Sequence, residues 1–319
     1  MTSHLHAVYG AVPRDLAEVA DSSVQCSPQV PGASVLEALE PQSCARIAVH
    51  APPSTIERRA VLALALRALR PGGHLIALAA NSKGGTRLAN ELSAFGCTVS
   101  ASHKRHHQVV AADVPAARVG IEQAIADAMP RLLPELGLWS QPGLFNWDRI
   151  DPGTQVLLNH LPPLIGRGAD LGCGIGVLAR AVRRHAEPPH ITLIDIDQRA
   201  LTMARLNVTG DGVTTLWADV RTARDLPANL DFVVTNPPFH DAGEEDKALG
   251  QAFITKAAAM LKPGGVLWLT ANRHLPYEAT LKQLFATVEQ IAQASGYKIY
   301  AARKATAPAK PSKPVKARK

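Results

Sequence analysis

Four consecutive residues, Asn236-Pro237-Pro238-Phe239, follow an apolar stretch that predicts a strand over 231–235. The side-chain oxygen of Asn236 and the carbonyl of Pro237 can each accept one N–H of a planar amine, which frees the nitrogen lone pair for reaction. Consecutive prolines hold that carbonyl rigidly, and Phe239 offers a face on which a planar base can stack. The alternative is a plain strand-to-loop turn. We predict that these four residues are catalytic, for transfer to a planar amide or amine nitrogen.

A glycine-rich segment upstream predicts a ligand-binding loop, and it reads Asp170-Leu171-Gly172-Cys173-Gly174-Ile175-Gly176. It lies between a predicted strand over 167–171 and a predicted helix over 177–185. Glycines at alternate positions let the backbone turn sharply and approach a ligand closely, and the helix N-terminus favours a carboxylate. Asp170 supplies an acceptor for an ammonium group. This combination suits the amino-acid moiety of S-adenosylmethionine better than a pyrophosphate, and the spacing differs from that of dinucleotide-binding loops.

Three further carboxylates could contact the rest of such a cofactor. Asp195 ends the next predicted strand, at about the 20-residue distance from the glycines at which an acid meets ribose hydroxyls. Asp197 is the competing residue, and we expect it mainly to cap the helix predicted over 199–208. Asp219 follows a predicted strand over 213–217, where it could accept from the adenine amino group. An ordinary surface aspartate is its alternative interpretation.

The alternation of strands and helices predicts an α/β fold with two tandem Rossmann-like domains. The C-terminal domain is predicted as a seven-stranded, mostly parallel sheet with helices on both faces, and the N-terminal domain as a degenerate copy. The predicted segments are a first domain over 1–129, a linker over 130–143, a catalytic domain over 144–303 and a basic tail over 304–319. Residues 1–43 carry clusters of turn formers and are predicted to be irregular. A helix is predicted over 116–129.

An internal similarity suggests that the two halves are duplicates. Leu69–Leu75 reads LRPGGHL and Leu261–Leu267 reads LKPGGVL, each after a predicted helix and before an apolar strand. Upstream, Ala51-Pro52-Pro53 corresponds to Asn236-Pro237-Pro238. Chance recurrence of a common helix-to-strand turn is the alternative. Alanine has no side-chain acceptor, and the first half shows no glycine loop, so only the second half is predicted to be catalytic.

The positive charge is concentrated at the C-terminus. The chain has 34 Lys and Arg against 27 Asp and Glu, a net charge of +7. The last 18 residues, 302–319, carry seven Lys and Arg and no Asp or Glu, so the rest of the chain is formally neutral. The composition of the tail predicts a disordered segment that binds a phosphate backbone or simply aids solubility. His103, His106 and His107, with two neighbouring cations, predict a basic patch or an RNA contact in preference to a metal site. No membrane span or signal peptide is predicted, and scattered cysteines fit a reducing, cytoplasmic compartment.

The region from about 144 to 303 resembles the small-domain methyltransferase family of ribosomal RNA guanine-N2 methyltransferases, in particular the type acting on the small subunit. The resemblance lies in Gly143-Leu144-Phe145, Leu157-Leu158, Asp170 to Gly176, and Asn236 to Asp241. It implies S-adenosylmethionine as cofactor and the N2 of a guanine in 16S rRNA as acceptor. We expect the protein to be a monomer. It implies that the N-terminal copy has lost cofactor binding and serves as an RNA-binding or folding scaffold. It also implies that Phe145 and Asp151 border the cofactor pocket, and we predict that Asn236 contacts the cofactor as well. The first 40 residues and the basic tail depart from the family pattern.

Three alternatives stay open at this point. A protein glutamine methyltransferase uses the same Asn-Pro-Pro chemistry on an amide. A guanine-N2 methyltransferase could act on the large subunit instead. An RNA-binding assembly factor with a vestigial pocket would need no catalysis, although the intact Asp170, Asp195 and Asn236 argue against it.

Overall fold

A computed structural model of the chain describes residues 5–184, 187–238, 240–241, 244–245 and 247–306. Two large sheets account for most of the strands. The "first copy" below means the sheet formed by strands β1 to β6 with its three helices. The "second copy" means the seven-stranded sheet that follows it, with its five helices.

The first copy is a six-stranded sheet in the order β2-β1-β3-β4-β6-β5. The first four of these strands run parallel, and β6 and β5 are antiparallel to their neighbours. Its elements are β1 Leu5–Tyr9, β2 Val24–Gln25, β3 Cys44–His50, α1 Thr55–Ala68, β4 Leu69–Ala80, α2 Leu88–Ala94, β5 Thr98–Lys104, β6 His107–Asp113 and α3 Ile121–Asp127.

A short hairpin of β7 Arg131–Leu133 and β8 Leu138–Ser140 leads into the second copy. There, seven strands take the order β11-β10-β9-β12-β15-β17-β16, which matches the predicted strand number and mixed direction. The elements are α4 Pro152–His160, β9 Arg167–Leu171, α5 Val177–Val182, β10 His190–Asp195, α6 Gln198–Asn207, β11 Val213–Trp217, β12 Leu230–Thr235, β13 His240–Asp241, β14 Glu244–Glu245, α7 Lys247–Met260, β15 Leu261–Asn272, α8 Glu278–Leu284, β16 Thr287–Ala294 and β17 Tyr297–Arg303.

The two sheets have the same connectivity. When β11 is set aside, the order β10-β9-β12-β15-β17-β16 corresponds strand for strand to β2-β1-β3-β4-β6-β5. The parallel and antiparallel pairings also agree. This correspondence confirms the predicted duplication and the degenerate state of the first copy, which has no strand equivalent to β11 in the described part of the chain.

Two local predictions were wrong. Residues 1–43 are not wholly irregular, because β1 and β2 both join the sheet as parallel strands. These strands are short and lie between turn-forming residues, so the sequence shows no clear strand pattern there. The helix predicted over 116–129 is limited to Ile121–Asp127, because Gly120 precedes it with a φ of 71°. A left-handed residue cannot continue a helix. The predicted disorder of the tail falls largely on residues 307–319, which lie outside the described residues.

The central strands are buried on both faces, as continuous apolar runs in parallel sheets require. Residues 168–171 of β9 and residues 232–235 of β12 are all buried. The apolar side chains of these strands pack into two core clusters. One cluster includes side chains of α7, and the other includes side chains of α4, α5 and α6. The rigid sheet therefore fixes where β9, β10 and β12 end. In the described ranges, no helix is long and apolar enough to cross a membrane.

Candidate active site

The predicted site residues meet where the strand order reverses. β9 lies between β10 and β12, and the three strands run parallel, so their carboxyl ends share one edge of the sheet. The glycine loop follows β9, Asp195 ends β10, and Asn236 follows β12. Thr235 at the end of β12 donates from its hydroxyl to the carbonyl of Leu171, at 2.6 Å. This crevice at a topological switch point is where open α/β sheets bind ligands.

The glycine loop adopts a backbone that only glycine takes without strain. Gly172, Gly174 and Gly176 have φ values of 72°, 52° and 85°. A Cβ on Gly172 would lie 2.9 Å from the ring of Phe253, whereas a Cβ on Gly174 would meet no atom within 4 Å. The loop is thus packed from behind at Gly172 and open in front at Gly174. The open side is a cradle that any side chain would partly fill, and it fits a closely approaching ligand.

Asp170 offers an unused acceptor beneath this loop. Its Oδ2 accepts from the backbone N–H of Ala179 at 3.0 Å, whereas its Oδ1 is buried without a hydrogen-bond partner among the described residues. Burial raises the pKa of Asp170 to about 7; the Ala179 N–H opposes this shift, and the charge of Asp195 adds to it. A buried oxygen without a donor is costly, and a cationic donor would relieve it. The loop and Asp170 together therefore fit the ammonium and carboxylate groups of an amino acid.

Asp195 ties the end of β10 to the glycine loop. Its Oδ2 accepts from the N–H of Gly174 at 2.8 Å, and its Oδ1 accepts from the N–H of Asp197 at 2.9 Å. Burial raises its pKa to about 6, although these backbone donors lower it. Asp197 caps α6 by accepting from the N–H of Arg199 at 3.0 Å, which confirms the predicted cap.

Asp219, after β11, already has a cationic partner. Its carboxylate accepts from the side chain of Arg221 at 3.0 to 3.1 Å and from the backbone N–H of that residue at 2.9 Å. Burial alone would raise the pKa of Asp219, but the Arg221 hydrogen bonds and charge hold it below the ordinary value. An adenine amino group at this position would share the carboxylate with Arg221.

Asn236 is held by the N-cap residue of α4, Asp151, and by Thr154 in the first turn of that helix. Its Nδ2 donates to Oδ2 of Asp151 at 2.9 Å and to Oγ1 of Thr154 at 2.8 Å. Because an ionised carboxylate is only an acceptor, Asp151 fixes which end of the amide is the NH₂. The Oδ1 oxygen is therefore the end presented as acceptor to a substrate. Asp151 also accepts from the N–H of Thr154 at 2.8 Å and from the side chain of Asn146 at 3.1 Å.

The sequence analysis did not predict that Thr154 and Asn146 belong to the site. The segment Asp151-Pro152 is a strong helix-start signal, and Asp151 does cap α4. That signal predicts the start of α4, but the contact to Asn236 joins residues more than 80 positions apart. Nothing in the local pattern indicates such a contact.

The remaining predicted residues differ in exposure. Pro237 is buried and Pro238 is exposed, and Phe239 lies outside the described residues. Phe145 is 67% exposed, in the loop between β8 and α4. Its neighbour Leu144 packs in one cluster with Ile175 of the glycine loop. Phe145 thus directly follows a residue of the cluster that contains Ile175, and its own ring is exposed.

In the first copy, the corresponding turn is filled by an arginine. Nη1 of Arg58 donates to the carbonyl of Pro53 at 2.8 Å and to that of Pro52 at 3.3 Å. The side chain is fully buried and forms a two-point ion pair with Glu91 at 2.8 Å. The guanidinium group of Arg58 thus donates hydrogen bonds to the two carbonyls that correspond to those of Pro237 and Pro238. This turn therefore already has an internal donor, and Ala51 provides no side-chain acceptor in the place of Asn236.

Other features lie away from the crevice. The β5–β6 hairpin presents His103 and the turn that follows it, all exposed, as the predicted basic patch. A cavity of about 420 Å³ is lined by Pro162–Ile165 and by residues near the opposite, amino ends of β12 and β15. Ligands of parallel sheets bind at the carboxyl ends, so this cavity is not the predicted site.

The chain resembles known proteins along most of its length. The family model of the methyltransferase small domain matches residues 135–301, more than half of the chain. Ribosomal RNA small subunit methyltransferase C of Shewanella loihica is 32% identical over 250 residues, which is 77% of this chain and 73% of that protein. The same-named protein of Pseudomonas aeruginosa is 30% identical over 296 residues, 89% of this chain and 87% of that protein.

A solved structure shares the fold. The T. thermophilus 16S rRNA N2 methyltransferase, determined in complex with AdoMet and guanosine, superimposes with a TM-score of 0.74 at 23% identity. The match covers 94% of this chain and 88% of that one. By sequence and by fold, this chain belongs to the ribosomal RNA small subunit methyltransferase C family.

Proposed function

We propose that this protein transfers the methyl group of S-adenosylmethionine to the exocyclic N2 of a guanine in small-subunit ribosomal RNA. The observation that carries the proposal is the fixed amide of Asn236, held by Asp151 and Thr154 at the end of β12. The names of the relatives, which specify small-subunit rRNA, and the guanosine in the T. thermophilus structure support the choice of acceptor.

The cofactor would occupy the crevice in front of the glycine loop. Asp170, with its unpartnered buried oxygen, would accept the ammonium group, and the loop from Gly172 to Gly176 would receive the carboxylate. Asp195 would accept the ribose hydroxyls and Asp219 the adenine amine. Phe145 and Asp151 would border the same pocket. S-adenosylmethionine, when bound, supplies a methyl group on a positively charged sulfur.

The protein's own groups would prepare the acceptor nitrogen. The Oδ1 of Asn236 and the carbonyl of Pro237 each accept one N–H of the guanine amine, which draws the nitrogen toward tetrahedral geometry. Phe239 and the buried Pro237 would hold the base plane. A nitrogen–carbon bond forms as the carbon–sulfur bond breaks, and the extra proton leaves the nitrogen to solvent. Because these acceptors are fixed before reaction, little reorganisation is required.

We further propose a division of labour along the chain. The first copy, residues 1–129, would contact RNA or support folding, residues 144–303 would carry catalysis, and the tail from 304 would bind the phosphate backbone. The fit of Arg58 into the first copy's turn supports its non-catalytic role. We propose that the protein acts as a monomer in the cytoplasm, within the small-subunit context, where its substrate is found; size-exclusion chromatography with light scattering tests the first point.

Methylation of small-subunit RNA by an Asn236→Ala variant tests the proposal. We expect transfer of a radiolabelled methyl group to fall by about 100-fold or more, because one of two preorganised acceptors is lost. Binding of S-adenosylmethionine, measured by calorimetry, should weaken far less than methyl transfer, because Asn236 only borders the cofactor pocket. Asn159→Ala, an exposed asparagine of α4, is the matched control.

Mass-spectrometric mapping of modified nucleosides separates the alternatives. N2-methylguanine at a small-subunit position supports the proposal. The same product only in large-subunit RNA, or methyl transfer to glutamine in a protein substrate, would overturn the choice of acceptor. Cofactor binding with no transfer to any of these substrates would favour an assembly factor.

A further inference from the structure

The turn after β10, residues 195–199, is held from outside its own sheet. This turn carries Asp195 and begins α6, and the first copy reaches it with polar groups from two segments. The hydrogen bonds join the side chain of Gln29 to Asp197 at 3.3 Å, the carbonyl of Pro28 to the N–H of Gln198 at 2.9 Å, and the carboxylate of Glu57 to Arg199 at 2.7 Å.

Arg199 is the centre of this contact. Its Nε and Nη2 donate to the two oxygens of Asp197 at 3.0 and 2.7 Å, and its Nη1 donates to Oε1 of Glu57. The side chains are only 9% to 16% exposed. Burial would raise the pKa of Asp197, yet the hydrogen bonds and charge of Arg199 hold it below the ordinary value. Charge-assisted, forked bonds of this kind have strongly preferred geometry, so Glu57 limits how the Arg199 side chain can be oriented.

The contact continues to the predicted cofactor crevice. The N–H of Asp197 donates to Asp195, and the second oxygen of Asp195 accepts from Gly174. Glu57 also packs against Gly143, where a Cβ would lie 2.6 Å from its carboxyl group. Gly143 begins the segment that leads to Phe145. One carboxylate of the first copy therefore contacts both segments that border the crevice.

We propose that Glu57 is a positioning residue for S-adenosylmethionine binding, acting from the degenerate copy through Arg199 on the turn that carries Asp195. The inference rests on the proposed function, because it assumes this cofactor. Without the Glu57 charge, Arg199 keeps its ion pair with Asp197 but has only a weaker, neutral acceptor on the first copy. The turn then samples more conformations, and the cofactor must order it on binding.

The test compares Glu57→Gln with the unchanged full-length protein. We expect the dissociation constant for S-adenosylmethionine and the KM for this cofactor to rise about 10-fold, within the usual range of coupling between sites. The kcat at saturating cofactor stays unchanged, because Asn236 is untouched. Amide hydrogen exchange of residues 195–199 becomes faster. The matched control is Glu18→Gln, which removes an exposed ion pair with Arg46 on the same copy and changes none of these values.

Two further measurements keep the outcome decisive. If Glu57→Gln lowers the melting temperature while cofactor affinity stays unchanged, Glu57 is merely structural and the proposal is overturned. If Glu57→Gln does not fold, Gln29→Ala removes a bond from an exposed side chain, and it must raise the dissociation constant to a smaller extent. An unchanged protein that binds no S-adenosylmethionine overturns the proposed function too, whereas normal binding with no effect of either variant overturns the positioning role alone.

Discussion

The Nδ2 atom of Asn236 lies 2.9 Å from Oδ2 of Asp151, and this bond sets the direction of the amide. Asp151→Asn replaces a pure acceptor with a group that can also donate, so the Asn236 amide can rotate by 180°. We expect kcat for methyl transfer to fall about 100-fold, as when a preorganised polar group is lost. Thr154→Val removes the second acceptor at 2.8 Å and should lower kcat less.

The separation of kcat from cofactor affinity makes this prediction specific. Steady-state kinetics with calorimetric titration of S-adenosylmethionine provides both values. The melting temperature of Asp151→Asn should stay close to that of the unchanged protein, because asparagine caps a helix about as well as aspartate does. An Asp151→Asn enzyme with normal kcat would contradict the orienting role.

Cofactor affinity should depend on pH through Asp170 and Asp195. Burial raises their pKa values to about 7 and about 6, so both carboxyls are largely protonated below about pH 5. The ionised form of Asp170 binds an ammonium group. We therefore expect the affinity for S-adenosylmethionine to increase from about pH 5 to about pH 8, with proton release on binding that calorimetry in two buffers can measure. Asp170→Asn should bind weakly and lose the dependence around pH 7.

The same shifts have the opposite effect on the free protein's stability. The unfolded chain releases these protons near the ordinary aspartate value, below the folded pKa values. The stability that the protonated Asp170 contributes is therefore complete at low pH and is lost as the pH rises through about 7. Urea unfolding of the unchanged protein and of Asp170→Asn should diverge over this window. Parallel pH profiles of the two proteins would count against a buried, protonated Asp170.

Two glycine substitutions should separate stability from binding. Gly172→Ala combines a φ of 72° with a Cβ 2.9 Å from Phe253, so it should lower both stability and cofactor affinity. Gly174→Ala meets no atom within 4 Å. The free energy of unfolding of Gly174→Ala should fall only by the cost of a left-handed backbone at alanine, about 1–2 kcal/mol. Its methyl group would obstruct the open side of the loop, so cofactor affinity should fall as well. Thermal melts and calorimetry test the pair, and normal cofactor binding by Gly174→Ala would exclude the open side as the binding face.

RNA should contact the carboxyl edge of the second sheet. Arg273 is exposed just beyond β15, the neighbour of β12, so it lies at the same edge as Asn236. We expect Arg273→Ala to raise the KM for RNA and to reduce the slope of log affinity against log salt by about 1, as for one lost phosphate contact. The KM for S-adenosylmethionine should not change.

The control for this surface is Arg167→Ala, an exposed arginine at the amino end of β9, on the opposite edge. RNA affinity should be insensitive to it. Equal losses in the two variants would indicate general charge attraction and would refute a localised RNA surface.

The duplicated α/β fold could be predicted from sequence because its signals are local. The PGG turns, the apolar strands and the helix caps each involve residues close together in the chain. The predicted strand over 213–217 and the cap at Asp197 were therefore correct. Strand β2 was missed because a strand of two residues has no detectable period. Strand β1, with five residues, was missed among the turn formers around it, and pairing in the sheet decides that both strands form.

The sequence by itself also predicted that Asp170, Asp195 and Asn236 lie together, since each is at or next to the carboxyl end of a parallel strand and such strand ends share one edge. Only the tertiary structure decided what holds them. Asp151 orients Asn236, Arg58 fills the turn of the first copy, and Glu57 reaches Arg199 from 142 positions away. The physical reason is that a hydrogen bond depends on distances of about 3 Å between atoms, and chain separation carries no information about such distances until the two sheets have packed.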